Sequence, residues 1–245
     1  MEAARLAWLP LFSSLITYGF AAMVLQRWWQ RRRAYLLLWG IGLLMYATGG
    51  LMEALYGFFG WHPLIFRFWY LFGAVLVAAW LGQGTAYLLI RRRVAGIRVA
   101  HIMLAILIVA SIFAAQRVFT AQLDPSRMLK GELSGHAIIT PGVRVLTPFF
   151  NIYGVILLVG GAIYSAWIFW RKRVLLHRTI GNILIATGAL APAIGGAMQR
   201  FGIPVALYVG EFIGAILMFA GFLYASRPVT ETSPTVAPSQ ASSGR

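Results

Sequence analysis

The sequence predicts an all-α polytopic membrane protein with seven transmembrane helices. Three observations carry this prediction. The 245 residues are 60% hydrophobic and only 11% charged, whereas a soluble domain carries about a quarter charged residues. The mean hydropathy is +0.77. The apolar residues form seven long blocks, and a helix that spans a bilayer needs about 20 such residues.

The seven predicted spans follow directly from these blocks. They cover residues 7–28, 34–56, 64–90, 99–116, 146–170, 179–199 and 203–226. The first block is longer than the apolar core of a signal peptide and lacks a small-residue cleavage pattern after it, so we expect it to be a spanning helix. One transmembrane domain therefore accounts for residues 1–227. Residues 228–245 are rich in Ser, Thr, Pro and Ala, which predicts a disordered cytoplasmic tail.

The orientation follows from the arginine clusters between the blocks. Basic residues are grouped in every second connection, whereas the long connection between Arg117 and Arg144 carries only scattered ones. The clustered residues are Arg27, Arg31, Arg32, Arg33, Arg91, Arg92, Arg93, Arg98, Arg171, Lys172, Arg173 and Arg178. Clusters of this kind remain in the cytoplasm. The N-terminus is therefore predicted outside and the C-terminus inside, in the plasma membrane of a prokaryote.

Several classes of function are excluded by what the sequence lacks. There is no cysteine, which excludes disulfides and thiolate metal sites. No metalloprotease, phosphate-loop or serine-hydrolase motif is present. Both lysines, Lys130 and Lys172, lie in connections, so no helix offers a retinal Schiff base. We predict a non-enzyme with no catalytic residue, no cofactor and no metal.

The expected partners are likewise limited. The net charge of +15 belongs to membrane topology rather than to nucleic-acid binding, because no soluble domain presents a basic face. The remaining partners are the lipid bilayer, an unknown small molecule and a protein partner.

An internal repeat is indicated by matches between the first three and the last three spans. Ala47-Thr48-Gly49 recurs as Ala186-Thr187-Gly188, and Gly73-Ala74-Val75-Leu76 recurs as Gly214-Ala215-Ile216-Leu217. The matches share one approximate spacing. They predict a 3+1+3 parallel repeat, with units at residues 7–90 and 146–226 joined by the linker helix 99–116. The alternative is chance similarity between apolar helices.

Polar residues at membrane depth mark the candidate site. Glu53 lies in the outer part of the second span, and Glu211 lies about two turns into the seventh. Charged groups in hydrocarbon are costly and face a cavity or a partner. The candidate ligand pocket in the outer half of the bundle consists of Glu53, Arg67, Tyr70, Asn151, Gln199, Arg200, Tyr208 and Glu211. The alternative is an ion-pair network that only holds the helices together.

Two segments carry a resemblance to a known family. They are Phe66-Arg67-Phe68-Trp69-Tyr70-Leu71-Phe72-Gly73 and Ala191-Pro192-Ala193-Ile194-Gly195, the latter followed by the Gly202-Ile203-Pro204 turn. The order of features resembles the seven-helix membrane-sensor region of some bacterial histidine kinases and diguanylate cyclases. This resemblance implies signal reception in the membrane, although the chain carries no output domain of that kind.

Three functions remain open at this point. The first is a ligand-binding or sensory module that acts through a partner protein. The second is a small-solute transporter, similar in layout to the sugar-transporting SWEET proteins, because parallel repeats enclose central cavities. The third is a structural subunit of a membrane complex. A transporter needs access from both sides, whereas a receptor pocket need open only outward.

The predicted orientation can be tested with single cysteines, because the chain has none of its own. Ser126→Cys, in the long connection, should react with a membrane-impermeant maleimide on intact cells. Ala95→Cys, in an arginine-cluster connection, should react only after the membrane is opened. The reverse pattern of labelling would overturn the orientation.

Overall fold

The computed structural model describes residues 7–128, 133–171, 176–201, 203 and 205–226. The side chains of residues 169, 176–178, 199 and 200 are outside this description. The predicted disordered tail, residues 228–245, also lies outside the described residues.

Seven helices account for almost all of the described chain. They are α1 (Trp8–Arg31), α2 (Ala34–Phe59), α3 (Pro63–Leu89), α4 (Val99–Thr120), α5 (Val143–Arg171), α6 (Leu176–Arg200) and α7 (Val205–Ala225). Each is long and apolar enough to cross a membrane. The prediction of an all-α polytopic protein is confirmed at this level, and the predicted spans agree with the helices to within a few residues.

The bundle has two chemically different ends. At the arginine end, α1 leads to α2 through Arg32 and Arg33, and α3 leads to α4 through a hairpin of strands β1 (Arg93–Val94) and β2 (Ile97–Arg98). The opposite end is called the loop end, because the α4–α5 connection lies there. This connection includes two short 3-10 helices, Pro125–Arg127 and Gly135–Ala137.

The backbone of α3 changes its pitch near the loop end. It begins as an α-helix (Pro63–Phe68), continues as a π-helix (Trp69–Leu76) and returns to an α-helix (Val77–Leu89). Such segments loosen the helical hydrogen-bond ladder and often occur at functional sites. The carbonyl of Ala74 accepts a hydrogen bond of 3.0 Å from the Asn151 side-chain amide of α5.

Six of the helices form a closed ring. Its order is α1, α2, α3, α5, α6 and α7, and α7 returns to pack against α1. The helix left over, α4, packs only lightly outside the ring, against α3 and α5. The ring surrounds a central axis, and its interior is where the candidate site lies.

The junction between α3 and α5 depends on two glycines. An ideal Cβ added to Gly154 would lie 2.2 Å from the carbonyl carbon of Ala78, and one on Gly82 would lie 2.9 Å from the carbonyl oxygen of Gly154. No larger side chain fits between these backbones. Helix pairs in membranes use small residues in this way, because lipid supplies no hydrophobic force to press helices together.

We predict that Gly154→Ala weakens this junction, whereas Gly160→Ala on the same helix does not. An added methyl at Gly160 would meet no atom within 4 Å. Overpacking at position 154 should cost about 1–3 kcal/mol, and the control should be neutral or slightly stabilising, since alanine is the better helix former. Thermal unfolding in detergent measures both. Equal melting temperatures for the two variants would contradict the close approach.

Candidate functional site

A cavity lies inside the ring, in the half nearer the arginine end. Its volume is about 70 Å³, which holds a few water molecules and is below the roughly 300–1,000 Å³ of most small-molecule sites. Its walls come from α1, α2, α3, α5, α6 and α7. The lining residues are Phe20, Val24, Trp39, Leu43, Leu81, Thr85, Leu88, Leu158, Gly161, Ala162, Ser165, Asn182, Ile185, Met218 and Phe222.

The few polar groups of this cavity are uncharged. The Trp39 indole N–H donates to the hydroxyl of Thr85 at 3.3 Å, and Ser165 and Asn182 add a hydroxyl and a carboxamide to the lining. None of the lining residues is ionisable. A mostly apolar surface with a few fixed polar groups suits an uncharged solute, because an ion would lose its hydration without gaining a counter-charge.

A pair of carboxyl groups lies nearer the loop end, with Glu53 buried and Glu211 half-buried. Glu53 on α2 is only 6% exposed, and its Oε1 accepts a hydrogen bond of 2.7 Å from the Trp69 indole on α3. Its Oε2 is buried and accepts no hydrogen bond. The carboxyl group of Glu211 on α7 lies close to the Glu53 carboxyl group. The Tyr46 hydroxyl donates to the backbone carbonyl of Glu211 at 3.0 Å.

The pair and the cavity are stacked along the axis of the ring. On α2, Glu53 lies ten residues beyond the cavity residue Leu43, which corresponds to about 15 Å of helix. On α7, Glu211 lies seven residues from the cavity residue Met218, or about 10 Å. The carboxyl pair therefore joins the two three-helix halves of the ring on the loop side of the cavity.

Arg67 is held elsewhere and does not neutralise this pair. Its guanidinium group donates to the carbonyls of Val118, Phe119 and Ala121, the last at 2.9 Å. These carbonyls belong to the C-terminal end of α4, where the helix leaves them without intrahelical partners. We expected Arg67 to line a pocket with Glu53 and Glu211. In the structure its guanidinium group instead binds the C-terminal end of α4.

Two more candidate residues connect α3 to α5. The Tyr70 hydroxyl shares a hydrogen bond of 2.8 Å with Thr147, and Asn151 donates to the Ala74 carbonyl of the π-helix. Both side chains therefore have structural partners of their own. They stabilise the junction beside the carboxyl pair rather than contacting it.

The last three candidates lie on α6 and α7. Tyr208 is partly buried on α7, one turn from Glu211. Gln199 and Arg200 lie at the C-terminal end of α6, and their side chains are outside the described part of the structure. Of the eight predicted site residues, Glu53 and Glu211 are the pair that the described side chains bring close together.

Gln83, the main polar interruption of α3, also has a structural role. It is fully buried, its amide donates to the Ala100 carbonyl at 2.8 Å, and its carbonyl accepts a hydrogen bond from the Tyr153 hydroxyl. These contacts join α3, α4 and α5. Buried polar groups in a membrane are satisfied inside the protein in this manner.

The cavity could hardly be predicted from the amino-acid sequence. Trp39, Thr85, Ser165 and Asn182 are its polar residues, and they are spread over four helices of mostly apolar composition. The one available signal was Asn182, a carboxamide within an apolar span. The other three are residue types that are common in transmembrane helices at interfaces between neighbours.

The α4–α5 connection is folded against the loop end. Leu133, Ala137 and Ile138 are buried, and Arg117 donates to the Pro141 carbonyl at 3.0 Å. In the same connection, hydrogen bonds from the hydroxyl and backbone N–H of Ser126 lower the pKa of Asp124 below its ordinary value. The described parts of this connection therefore cover the loop end of α3, α4 and α5.

No protein-family model, curated protein or solved structure matches the chain.

We predict that Trp69→Phe destabilises the fold, because it removes the hydrogen bond to Glu53 Oε1 while leaving the carboxyl group buried. An unsatisfied buried polar group costs about 1–3 kcal/mol. Trp29→Phe is the matched control, since Trp29 is 66% exposed. Thermal unfolding in detergent compares the two, and a melting temperature for Trp69→Phe no lower than that of the control would contradict the bond's contribution.

Proposed function

We propose that this protein is a small-solute transporter of 3+1+3 architecture, with the central cavity as its substrate site. The observation that carries the proposal is the composition of the cavity wall. Helices α1, α2 and α3 supply one side, and α5, α6 and α7 supply the other. A site shared by two repeated units is the arrangement in which rocking of one unit against the other changes access.

The repeat itself is supported by equivalent contacts in the two units. An ideal Cβ on Gly49 would lie 2.7 Å from Gly73 Cα, where α2 crosses α3. An ideal Cβ on Gly188 would lie 2.8 Å from the Gly214 carbonyl oxygen, where α6 crosses α7. The sequence comparison pairs Gly49 with Gly188 and Gly73 with Gly214. The matched glycines therefore form the matched crossings, which chance similarity of composition does not require.

The order of the ring supports the same proposal. Exchanging α1, α2 and α3 with α5, α6 and α7 leaves the cyclic order unchanged. The exchange also turns the α3–α5 junction into the α7–α1 junction, and both junctions are present. These are the properties of a twofold axis along the membrane normal. The position of α4 outside the ring fits a linker that restores the orientation of the second unit.

The cavity chemistry indicates an uncharged, largely apolar solute with one or two hydrogen-bonding groups. The predicted orientation places the cavity in the cytoplasmic half of the membrane. In that orientation the carboxyl pair, together with Trp69 and Tyr46, lies between the cavity and the outside. We therefore interpret the structure as a state in which the ring is closed toward the outside. Transport requires α2 and α3 to separate from α7 at the carboxyl pair.

A ligand-binding or sensory module that acts through a partner protein is the second candidate. One observation favours it: the described part of the α4–α5 connection rests on the π-helix of α3, where Gly135 lies against the ring of Tyr70. A signal received by this cover would act directly on an irregular helix. In this case the chain needs a partner, and solute need not cross the membrane.

The proposal is tested first by finding a solute and then by blocking its site. Purified protein is screened against uncharged metabolites by thermal shift, because a ligand of the folded state raises its apparent stability. Ala162→Phe places a large ring in the cavity, and Ile156→Phe places the same ring on a face that is 65% exposed. The first variant should bind the solute about tenfold more weakly or worse, equivalent to about 1.4 kcal/mol, and its thermal shift should fall accordingly. The second should retain it.

Uptake by proteoliposomes separates the two candidates. A transporter should accumulate or exchange the radiolabelled solute, and Ala162→Phe should abolish this uptake while Ile156→Phe retains it. Binding without uptake would favour the sensory module. Equal binding by both variants would contradict the cavity as the site.

A further inference from the structure

The Glu53–Glu211 pair presents an electrostatic problem that the described residues do not solve. Two neighbouring carboxylates, one buried and one half-buried, cannot both be ionised without a large electrostatic cost. Arg67 is occupied by the end of α4, and the ion pair found among the described residues, between Arg127 and Asp124, lies in the α4–α5 connection.

The unsatisfied atom identifies what is missing. Oε1 of Glu53 has its donor in Trp69, whereas the buried Oε2 has none. A proton on the neighbouring carboxyl group would supply that donor and would remove one of the two charges. A metal ion fits poorly, because hard cations require about six or more oxygen ligands, and the described residues contain no cluster of three or more metal-binding side chains.

We propose that Glu53 and Glu211 form a proton-binding site, in which one proton shared by the two carboxyl groups holds α2 and α3 against α7. With the proton present, a carboxylic O–H donates to the carboxylate and the pair carries one negative charge. When the proton leaves, two negative charges face each other and the contact becomes repulsive. Protonation therefore controls whether the loop side of the ring stays together.

Other titratable groups near the pair do not account for the same pH range. They are Tyr46 and Tyr56 on α2, Arg67 and Tyr70 on α3, Arg144 on α5 and Tyr208 on α7, with Arg200 on α6 among the side chains outside the description. Tyrosine and arginine are residue types that change charge only in strongly alkaline solution. The histidines at the loop end, His62 and His136, are removed in control variants, because histidine is the residue type that changes charge near neutral pH.

Infrared difference spectroscopy of the reconstituted full chain tests proton binding directly. A protonated carboxylic acid has a carbonyl stretching band that a carboxylate lacks, and the band shifts in D₂O. The chain has only six acidic residues, so few groups contribute. Wild type should show this band at neutral pH, and Glu211→Gln and Glu53→Gln should each lose it. Asp124→Asn is the matched control and should retain it.

The Gln variants preserve the shape and hydrogen-bonding capacity of the site. We therefore expect them to fold, so that their spectra can be compared with that of the wild type. A wild-type spectrum without the band at neutral pH would overturn the proposal with no variant needed. A band that survives when Glu53→Gln and Glu211→Gln are combined would also overturn it, because the proton would then belong to another group.

Electron–electron resonance between two spin labels tests the mechanical consequence. Phe59→Cys at the end of α2 and Val205→Cys at the start of α7 place labels at the loop end on exposed positions. Raising the pH through the range in which the band disappears should shift the distance distribution to longer values. The shift should be lost with Glu211→Gln and retained with His62→Gln and His136→Gln.

A distance that stays constant while the band disappears would overturn control of the contact by the proton. Neither experiment uses a solute, so the proton site can fail while the proposed transport stands, and the reverse is also true.

Discussion

The rest of this structure depends on one constraint: inside a bilayer, a polar group must find its partner within the protein, because no water is present to replace it. The amide of Gln83 is satisfied by the Ala100 carbonyl, and the amide of Asn151 is satisfied by the Ala74 carbonyl. The guanidinium group of Arg67 is satisfied by the end of α4. Each bond joins two helices, so satisfying these polar groups also holds α4 and α5 against α3. Among the residues that the structure describes, Glu53 Oε2 is the buried exception, and for that reason the candidate chemistry is assigned to it.

Much of the fold could be predicted from the sequence, since a spanning helix needs only length and apolar composition. The π-helix of α3 could not, because it depends on how a backbone adjusts to its neighbours. The depth of Glu53 and Glu211 could be read from their positions along their helices. Their contact could not, because it depends on the order of α2, α3 and α7 around the ring. The pairing of Arg67 with α4 was missed for the same reason: helix ends offer uncharged acceptors that compete with a carboxylate.

The cavity is the feature that the sequence concealed most completely. Its walls are made by leucine, phenylalanine and methionine side chains, which are equally suited to face lipid. Only the closure of six helices into a ring distinguishes an inward apolar face from an outward one. A polar site can be recognised in a sequence, because polar residues are costly in the membrane and therefore rare there. An apolar site consists of residues that are common in every span, so the sequence does not mark it. The sequence therefore indicated Glu53 and Glu211 as candidate site residues, but it did not indicate the cavity beside them.

The position of α4 outside the ring has a consequence for how freely its sequence can change. Its buried side chains, Leu107, Ser111, Ala114 and Val118 among them, face α3 and α5, while Ile106, Val109 and Ile112 are largely exposed. The exposed positions require only apolar residues that are compatible with a helix, and many substitutions satisfy that requirement. Most positions of α4 can thus tolerate substitution, whereas the six ring helices must keep specific neighbours. Among distant relatives of this chain, sequence differences should therefore accumulate first in α4.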